Sequence, residues 1–264
     1  MLFPGFAESR EPTAKSRFEG RLCYASSMPR FHRPFDPRSM KLVIFDLDGT
    51  LIDSRLDLIH SVNATLRHFE RRELPGDVVA SYVGDGAPML VRRALGDPED
   101  EAFFKRALDF FLSYYREHKL DHTVVYDGIP EALKQIQSNG ARGQAAEGKT
   151  TPRKMAVLSN KPVHPSRAIV EELGLADFFV HVYGGNSFET KKPDPLGVRT
   201  LLKETSTAPE HAMIVGDSSI DVLTGRNAGI ATCGVTYGFA PHTLCEAPPD
   251  VAVESPRDLQ LLFS

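Results

Sequence analysis

The sequence lacks any long apolar segment. None of its 264 residues belongs to a run of about 18 apolar residues, the length that a bilayer-spanning helix needs. The amino terminus also lacks the apolar centre of a secretory signal, so we expect no membrane partner and a cytoplasmic location. What is present, 41% hydrophobic and 25% charged residues, is ordinary for a globular protein with one full core and a smaller second one.

Cysteine and net charge are also sparse. The three cysteines, Cys23, Cys233 and Cys245, are odd in number and have no metal-ligand spacing, which favours reduced thiols over a disulfide framework. The formal net charge of −4 provides no general electrostatic reason to bind nucleic acid. We therefore expect no nucleic-acid partner.

Residues 1–39 have the composition of a disordered extension. They contain five prolines and six arginines but no apolar periodicity. Their acidic residues, Glu8, Glu11, Glu19 and Asp36, argue against an organelle-targeting peptide, because such peptides are poor in acids. We predict that this segment can be removed without loss of stability or catalysis.

From residue 40 onward, short apolar runs alternate with amphipathic segments. Nearly continuous apolar runs are typical of strands in a parallel sheet, and the segments between them end at glycines as helices do. The alternation predicts an α/β core with a doubly wound, Rossmann-like parallel sheet, formed by residues 40–53 and 123–264. The predicted strands are 42–45, 155–158, 180–183, 213–215, 233–236 and 251–253, and the predicted helices are 130–138, 165–173 and 195–205.

Two intervals interrupt this alternation. Residues 54–122 show helical stripes without a convincing strand, which predicts an inserted α-helical cap domain that lies over the end of the first strand. The stripes are Leu58, Val62, Leu66 and Phe69, and Phe104, Leu108, Phe111 and Tyr115. Residues 138–154 join a helix to a strand with more residues than the connection needs, which predicts a flexible surface loop.

Asp46 and Asp48 follow the first predicted strand, at the edge where open parallel sheets bind ligands. The stretch "DLDG" alone would usually be a turn, and a calcium loop would need glycine where Leu51 stands. Three further polar clusters, "SNK" at 159–161, "KKPDP" at 191–195 and "GDSSID" at 216–221, favour a different interpretation. Carboxylates from two loops can hold Mg²⁺ while a hydroxyl and an ammonium bind a phosphate.

In this order, "DLDGT", "LSN", "KKPDP" and "GDSSID" resemble the motifs of the haloacid dehalogenase superfamily of phosphohydrolases, and the resemblance extends from residue 41 to the end. With the stretches "YVGDGAPMLVRRAL" and "GVTYGF", the chain is most similar to the phosphoglycolate phosphatases. The resemblance implies a Mg²⁺-dependent phosphatase that hydrolyses a small phosphate monoester, with 2-phosphoglycolate as the implied substrate. A monomer or a homodimer is compatible with it.

The resemblance also implies roles for individual residues. Asp46 would attack phosphorus to form an aspartyl phosphate, and Asp48 would protonate the leaving group and then activate water. Ser159 and Asn160 would hold phosphoryl oxygens, and Lys192 would offset the charge of the transition state.

The implied metal site uses the same strand ends. Mg²⁺ would be held by the side chain of Asp46, the backbone carbonyl of Asp48 and the side chain of Asp217. Asp221 would orient the waters of the metal or the lysine.

Two alternatives stay open. A phosphosugar phosphatase or mutase of the same superfamily would use the same acid, whereas a dehalogenase would not need Asp48. A receiver-like phospho-aspartate signalling module also places an acceptor aspartate at the end of a parallel sheet. The helical insert argues against a receiver, because receivers are short and uncapped.

Specificity must come from the cap, because the core motifs recognise only the phosphoryl group. Gly84 and Gly86 suit a loop that approaches the ligand closely. Arg92 or Arg93 could then pair with the carboxylate of 2-phosphoglycolate.

Overall fold

The computed structural model describes residues 30–32, 35–142 and 150–264. In these residues the strands are β1 Arg30–Phe31, β2 Leu42–Phe45, β3 Ile52–Asp53, β4 Val124–Val125, β5 Ala141–Arg142, β6 Thr150–Thr151, β7 Lys154–Leu158, β8 His181–Tyr183, β9 Ala212–Gly216, β10 Ala231–Val235 and β11 Val251–Val253. The α-helices are α1 Arg55–His68, α2 Gly76–Ala80, α3 Ala87–Ala94, α4 Glu101–His118, α5 Ile129–Ser138, α6 Val163–Glu172, α7 Leu196–Thr205, α8 Ser219–Ala228 and α9 Pro256–Leu262.

The main sheet has the strand order β1-β11-β10-β9-β2-β7-β8. All of its neighbouring strands pair in parallel except β1, which is antiparallel to β11. The predicted doubly wound α/β core is therefore confirmed. Each of the six predicted strands and three predicted helices has its counterpart, with ends that differ by at most two residues.

Strand β2 shows why the predicted strands are continuously apolar. Val43 and Phe45 belong to the core layer under α5, α6 and α9, whereas Leu42 and Ile44 belong to the layer under α7. Successive side chains alternate between the two faces of the sheet, and helices cover both faces, so every residue of the strand is buried.

The segment between β3 and β4 consists of helices α1 to α4 and has a hydrophobic core of its own. That core contains both predicted helical stripes, with Leu58, Val62 and Leu66 buried on α1. In the described part of the chain, Phe239 is the one hydrophobic residue outside the segment that packs against this core. The helical insert therefore forms a hydrophobic unit separate from the sheet, and the predicted range 54–122 encloses it.

Asp57 fastens the two connections between the insert and the sheet. Its buried carboxylate, near the start of α1, accepts hydrogen bonds from Thr123 N at 2.8 Å, Thr123 Oγ1 at 2.6 Å and His122 N at 3.0 Å. Burial alone would raise the pKa of Asp57, but these hydrogen bonds outweigh it and hold the pKa below its ordinary value. The outgoing and returning chain segments are thus held side by side.

The amino-terminal segment differs from the prediction in the part that the structure describes. Arg30–Phe31 adds a strand to the sheet edge, and Arg153 donates hydrogen bonds to the carbonyl oxygens of Arg38 and Met40. A single proline-rich stretch conceals this pairing, because its partner β11 lies more than 200 residues later. Residues 1–29, and with them Cys23, lie outside the described residues.

The segment 138–154 also differs from a simple loop. Strands β5 and β6 pair antiparallel within it, and residues 143–149 lie outside the described residues. Of the remaining cysteines, Cys233 is buried and Cys245 is exposed, and neither forms a disulfide among the described residues. Over the same ranges, none of the helices combines the length and the apolar character that crossing a membrane requires.

Candidate active site

The first candidate carboxylates stand where β2 ends. Asp46 N donates to Val215 O at 2.9 Å, which continues the pairing of β2 with β9 up to the aspartate. The chain then turns at Gly49, whose φ is +80°, a backbone conformation that residues other than glycine rarely adopt. A Cβ at Gly49 would lie 2.3 Å from Asp217 Oδ2, so only glycine lets this turn lie against the carboxylate of Asp217.

Lys192 joins two of the carboxylates. Its Nζ lies 2.8 Å from Asp46 Oδ1 and donates to Asp221 Oδ1 at 2.6 Å, with the lysine side chain only 3% exposed. Burial alone would lower the pKa of Lys192, but the charges of Asp221 and Asp46 raise it above its ordinary value. The ammonium therefore stays charged beside Asp46. Lys191, the other lysine of "KKPDP", donates to Asp85 O on the insert instead.

Asp221 lies in the first turn of helix α8 and also binds the lysine. Its Oδ2 accepts from Ser218 Oγ at 2.7 Å and from Ser218 N at 3.3 Å, which completes a capping box. Both oxygens of Asp221 are thus engaged, one by Lys192 and the other by Ser218.

Three carboxylates crowd this edge of the sheet. Oxygens of Asp46, Asp217 and Asp221 lie within 4.8 Å of one another. Burial, reinforced by the neighbouring Asp221 and Asp46, raises the pKa of Asp217 to about 8. Burial also raises the pKa of Asp46 to about 6 in spite of Lys192. One ammonium cannot neutralise three buried carboxylates, so the cluster fits a cation.

Asp217 is aimed into this cluster by the segment after β10. Its Oδ2 accepts from Phe239 N at 2.5 Å and from Ala240 N at 3.1 Å. These backbone donors are the last residue of the "GVTYGF" stretch and the residue after it, so the end of this stretch orients the candidate metal ligand.

The loop after β7 carries Ser159, Asn160 and Lys161, all buried. Ser159 N donates to Tyr183 O at 3.0 Å, which holds the serine at the strand end. The side-chain amide of Asn160 donates to Gly84 O at 3.0 Å and to Lys192 O at 3.1 Å. Because both amide hydrogens are used in this way, the side chain of Asn160 ties the insert to the lysine loop.

The insert meets the core closely at this asparagine. Gly86 has φ +84°, and a Cβ there would lie 2.7 Å from Asn160 O. Of the two glycines singled out in the sequence, Gly86 thus allows a close approach, and the group that it approaches is Asn160. Gly84 meets Asn160 through its carbonyl oxygen, and a Cβ there would lie 3.7 Å from Ile220 Cδ1.

Lys161 is a site residue to which the sequence assigned no role. Its Nζ lies 3.0 Å from both carboxylate oxygens of Asp48 and 4.5 Å from the centre of the Tyr115 ring. Ser54 Oγ also donates to Asp48 Oδ1, at 2.5 Å. The "SNK" triplet was the available signal, but its lysine could have been a solvated surface residue. The structure instead places it between the second aspartate and the insert.

A cavity of about 670 Å³ lies between the insert and these strand ends. Its lower wall contains most of the predicted residues, and its upper wall comes from α1, α3 and α4. The predicted residues in the wall are Asp46, Asp48, Ser159, Asn160, Lys192 and Asp217. The structure thus brings together side chains that are up to 171 positions apart in the sequence, Asp46 and Asp217.

Arg92 and Arg93 are not among the residues that line the cavity. Arg92 Nη2 pairs with Glu101 Oε1 at 2.9 Å, and its guanidinium lies 4.0 Å from the centre of the Phe104 ring. Arg93 Nη2 pairs with Asp85 Oδ2 at 2.5 Å. Both charges are neutralised within the insert, so their assignment to substrate binding is corrected. The residue spacing on a helix could not reveal these partners.

Comparisons with known proteins agree with this geometry. Residues 43–235 match the family described as haloacid dehalogenase-like hydrolase. The chain is 35% identical over 238 residues to the phosphoglycolate phosphatase of Pseudomonas syringae pathovar tomato, covering 88% of this chain and 83% of that protein. It is also 35% identical over 236 residues to phosphoglycolate phosphatase 1 of Pseudomonas aeruginosa, covering 85% and 80%.

Solved structures show the same fold. A predicted phosphoglycolate phosphatase from Haemophilus somnus superposes with a TM-score of 0.77 at 27% identity, covering 86% of this chain and 99% of that one. A haloacid dehalogenase-like hydrolase from Streptococcus pneumoniae superposes with a TM-score of 0.73 at 21% identity, covering 86% and 99%. The second likeness concerns the fold alone.

Proposed function

We propose that this chain, which belongs to the haloacid dehalogenase-like hydrolases and is a phosphoric monoester hydrolase, converts 2-phosphoglycolate to glycolate and phosphate with Mg²⁺ as cofactor. The observation that carries the proposal is the buried cluster of Asp46, Lys192, Asp221 and Asp217 under the cavity of the insert. The names of the relatives support the choice of substrate.

Asp46 is the nucleophile. Lys192 at 2.8 Å keeps its carboxylate beside a positive charge, and the pKa of about 6 leaves it ionised above neutral pH. Its oxygen forms a bond to phosphorus while the bond from phosphorus to the glycolate oxygen breaks. Water then attacks phosphorus, the aspartyl bond breaks, and phosphate leaves.

Asp48 moves the proton in both steps. It gives its proton to the departing glycolate oxygen and takes one from the attacking water, which restores the starting state. Lys161 and Ser54 hold this carboxylate at the junction of core and insert, where a leaving group between the two would lie. Ser159 lines the same wall and offers a hydroxyl to the phosphoryl group.

The donor set fits a hard divalent cation, because buried carboxylates in excess of ammonium charge favour oxygen-ligated Mg²⁺. Asp46 and Asp217 would hold it, with the backbone carbonyl of Asp48. Asp221 serves Lys192 and Ser218 instead. Bound Mg²⁺ would supply charge that offsets the repulsion between an anionic nucleophile and an anionic substrate.

Phosphate release from a panel of monoesters, measured with Mg²⁺ and with a chelator, tests the proposal. We expect 2-phosphoglycolate to have the highest kcat/KM and turnover to stop when the metal is removed. A preference for sugar phosphates would favour the phosphosugar phosphatase or mutase alternative. Full activity in chelator would contradict the role of the metal.

A further inference from the structure

One face of helix α4 forms part of the cavity wall. The residues of α4 that line the cavity are Phe111, Leu112, Tyr115 and Arg116, and Lys119 follows directly after the helix. Their spacing of three and four residues places side chains on one side of a helix. This part of the wall is therefore apolar and aromatic up to Tyr115 and cationic at Arg116 and Lys119.

The polar character of the insert wall is cationic. Besides glycines and apolar side chains, the described insert residues that line the cavity are Tyr115, Arg116 and Lys119. No carboxylate or amide side chain of the insert lines the cavity within the described ranges. A sugar hydroxyl donates as well as accepts, and the Tyr115 hydroxyl is the one side-chain acceptor that the described insert residues offer it here, so this wall suits an anion better than a neutral polyol.

Arg116 differs from the other cations of the cavity in having no acidic partner. Lys192 pairs with Asp46, Lys161 with Asp48 and Lys119 Nζ with Glu172 Oε1 at 3.2 Å. Among the residues that the structure describes, no carboxylate lies within 4.0 Å of the Arg116 guanidinium. Its charge is available to a ligand, unlike those of Arg92 and Arg93.

The position of Arg116 also suits the far end of a short substrate. Its neighbour Tyr115 lies 4.5 Å from Lys161 Nζ, which is itself 3.0 Å from Asp48. Arg116 is the next residue after Tyr115, which borders Lys161, and it lines the same cavity as the proposed acid. A guanidinium binds a carboxylate through two parallel hydrogen bonds, which gives orientation as well as attraction.

We propose that Arg116 binds a second anionic group of the substrate, a carboxylate, and selects short carboxylated monoesters over neutral ones. This inference rests on the proposed function, since it needs the phosphoryl group at Asp46. It replaces the assignment to Arg92 and Arg93.

The test compares two esters of nearly equal size. They are 2-phosphoglycolate and ethylene glycol monophosphate, in which a hydroxymethyl group replaces the carboxylate. Arg116→Ala should lower kcat/KM for 2-phosphoglycolate about tenfold or more, the effect of losing charge-assisted hydrogen bonds, and change that for the neutral ester less than about twofold. Arg106→Ala, on the same helix but not among the residues lining the cavity, should leave both esters unchanged.

Arg116→Lys provides a second variant that keeps the charge but loses the planar fork. It should retain part of the preference for the carboxylated ester. Equal losses on both esters for Arg116→Ala, or no loss on either, would overturn the inference. A selective loss in Arg92→Ala or Arg93→Ala alone would return the role to those residues.

The two proposals fail in different ways. If the wild-type protein cleaves monoesters but not 2-phosphoglycolate, the proposed function fails. The subsite is then decided by other carboxylated esters, such as 3-phosphoglycerate, against neutral ones, and an Arg116→Ala variant without selective loss overturns it. If no monoester is cleaved with Mg²⁺, both proposals are wrong.

Discussion

The charged groups at the carboxyl ends of the strands, the sheet edge that forms the site, are held differently from those on the helical insert. At the sheet edge, charged groups are buried and locked together, as in Lys192 between Asp46 and Asp221. On the insert, Arg92 and Arg93 form ion pairs with other residues of the insert, and Arg116 is exposed where it lines the cavity. Buried strand ends can keep reacting groups in one geometry, whereas exposed helical side chains can be exchanged at little cost to folding.

The most severe way to break the sheet-edge arrangement is to remove its nucleophile. Asp46→Asn should reduce turnover by about a thousandfold or more, because no other group in the cluster can form the covalent bond. The melting temperature should stay close to that of the wild type, since the substitution removes one of three crowded carboxylates. Asp77→Asn, an exposed change on α2, is the matched control and should be fully active. Substantial activity in folded Asp46→Asn would refute the assignment.

The junction between the two regions is tested at Lys161. Lys161→Met should lower kcat by about tenfold while KM changes little, because Asp48 loses the charge-assisted contacts that hold it. Asp48→Asn should cost more, about a hundredfold or more, since proton transfer itself is lost.

A double-mutant cycle distinguishes this role from a general effect on folding. In the Asp48→Asn background, Lys161→Met should cause little further loss, because the lysine acts through that carboxylate. Additive losses would mean that Lys161 acts on the substrate or on stability independently of Asp48.

When the metal is removed, the crowded carboxylates should make the stability of the folded protein depend on pH. Asp46 and Asp217 have pKa values of about 6 and about 8 in the folded protein, against an ordinary value of 3.8. The folded state then binds more protons than the unfolded state between about pH 4 and pH 8, so stability falls as the pH rises through this window.

Thermal unfolding in chelator should therefore show a melting temperature that decreases by a few degrees between pH 5 and pH 8.5. Excess Mg²⁺ should flatten this dependence and raise the melting temperature most at the alkaline end. A pH-independent difference between the chelated and loaded protein would contradict a metal site made of these aspartates.

The smallest effect is expected far from both regions. A chain that begins at Met40 loses the edge strand Arg30–Phe31 and the carbonyl of Arg38 that binds Arg153. We expect a melting temperature lower by a few degrees than that of the full-length protein. The value of kcat/KM should stay within about twofold, because β1 is the outermost strand, three strands from β9.

A chain that begins at Arg30 keeps both contacts and serves as the control. It should match the full-length protein in stability and activity. If both truncations are equally stable, the pairing of β1 with β11 contributes nothing measurable, and the original expectation for residues 1–39 holds.

The sequence by itself determined the chemistry of the sheet edge. Asp46 and Asp217 follow apolar runs directly, and Lys192 and Asp221 stand in the short motifs "KKPDP" and "GDSSID". A parallel sheet brings its strand ends to one edge whatever the loops do. The helical insert could be predicted for a similar reason, because a repeating apolar stripe such as that of Leu58, Val62 and Leu66 depends only on local spacing.

Tertiary structure alone decided the roles that depend on direction and on distant partners. Arg92 and Arg116 are both arginines on insert helices, and only packing shows that Glu101 neutralises one while the other lines the cavity. Lys161 gained its role from Asp48, 113 positions earlier. Strand β1 gained its place from β11, which no local pattern specifies. Side-chain partners follow from how elements pack together, and packing is a property of the whole chain.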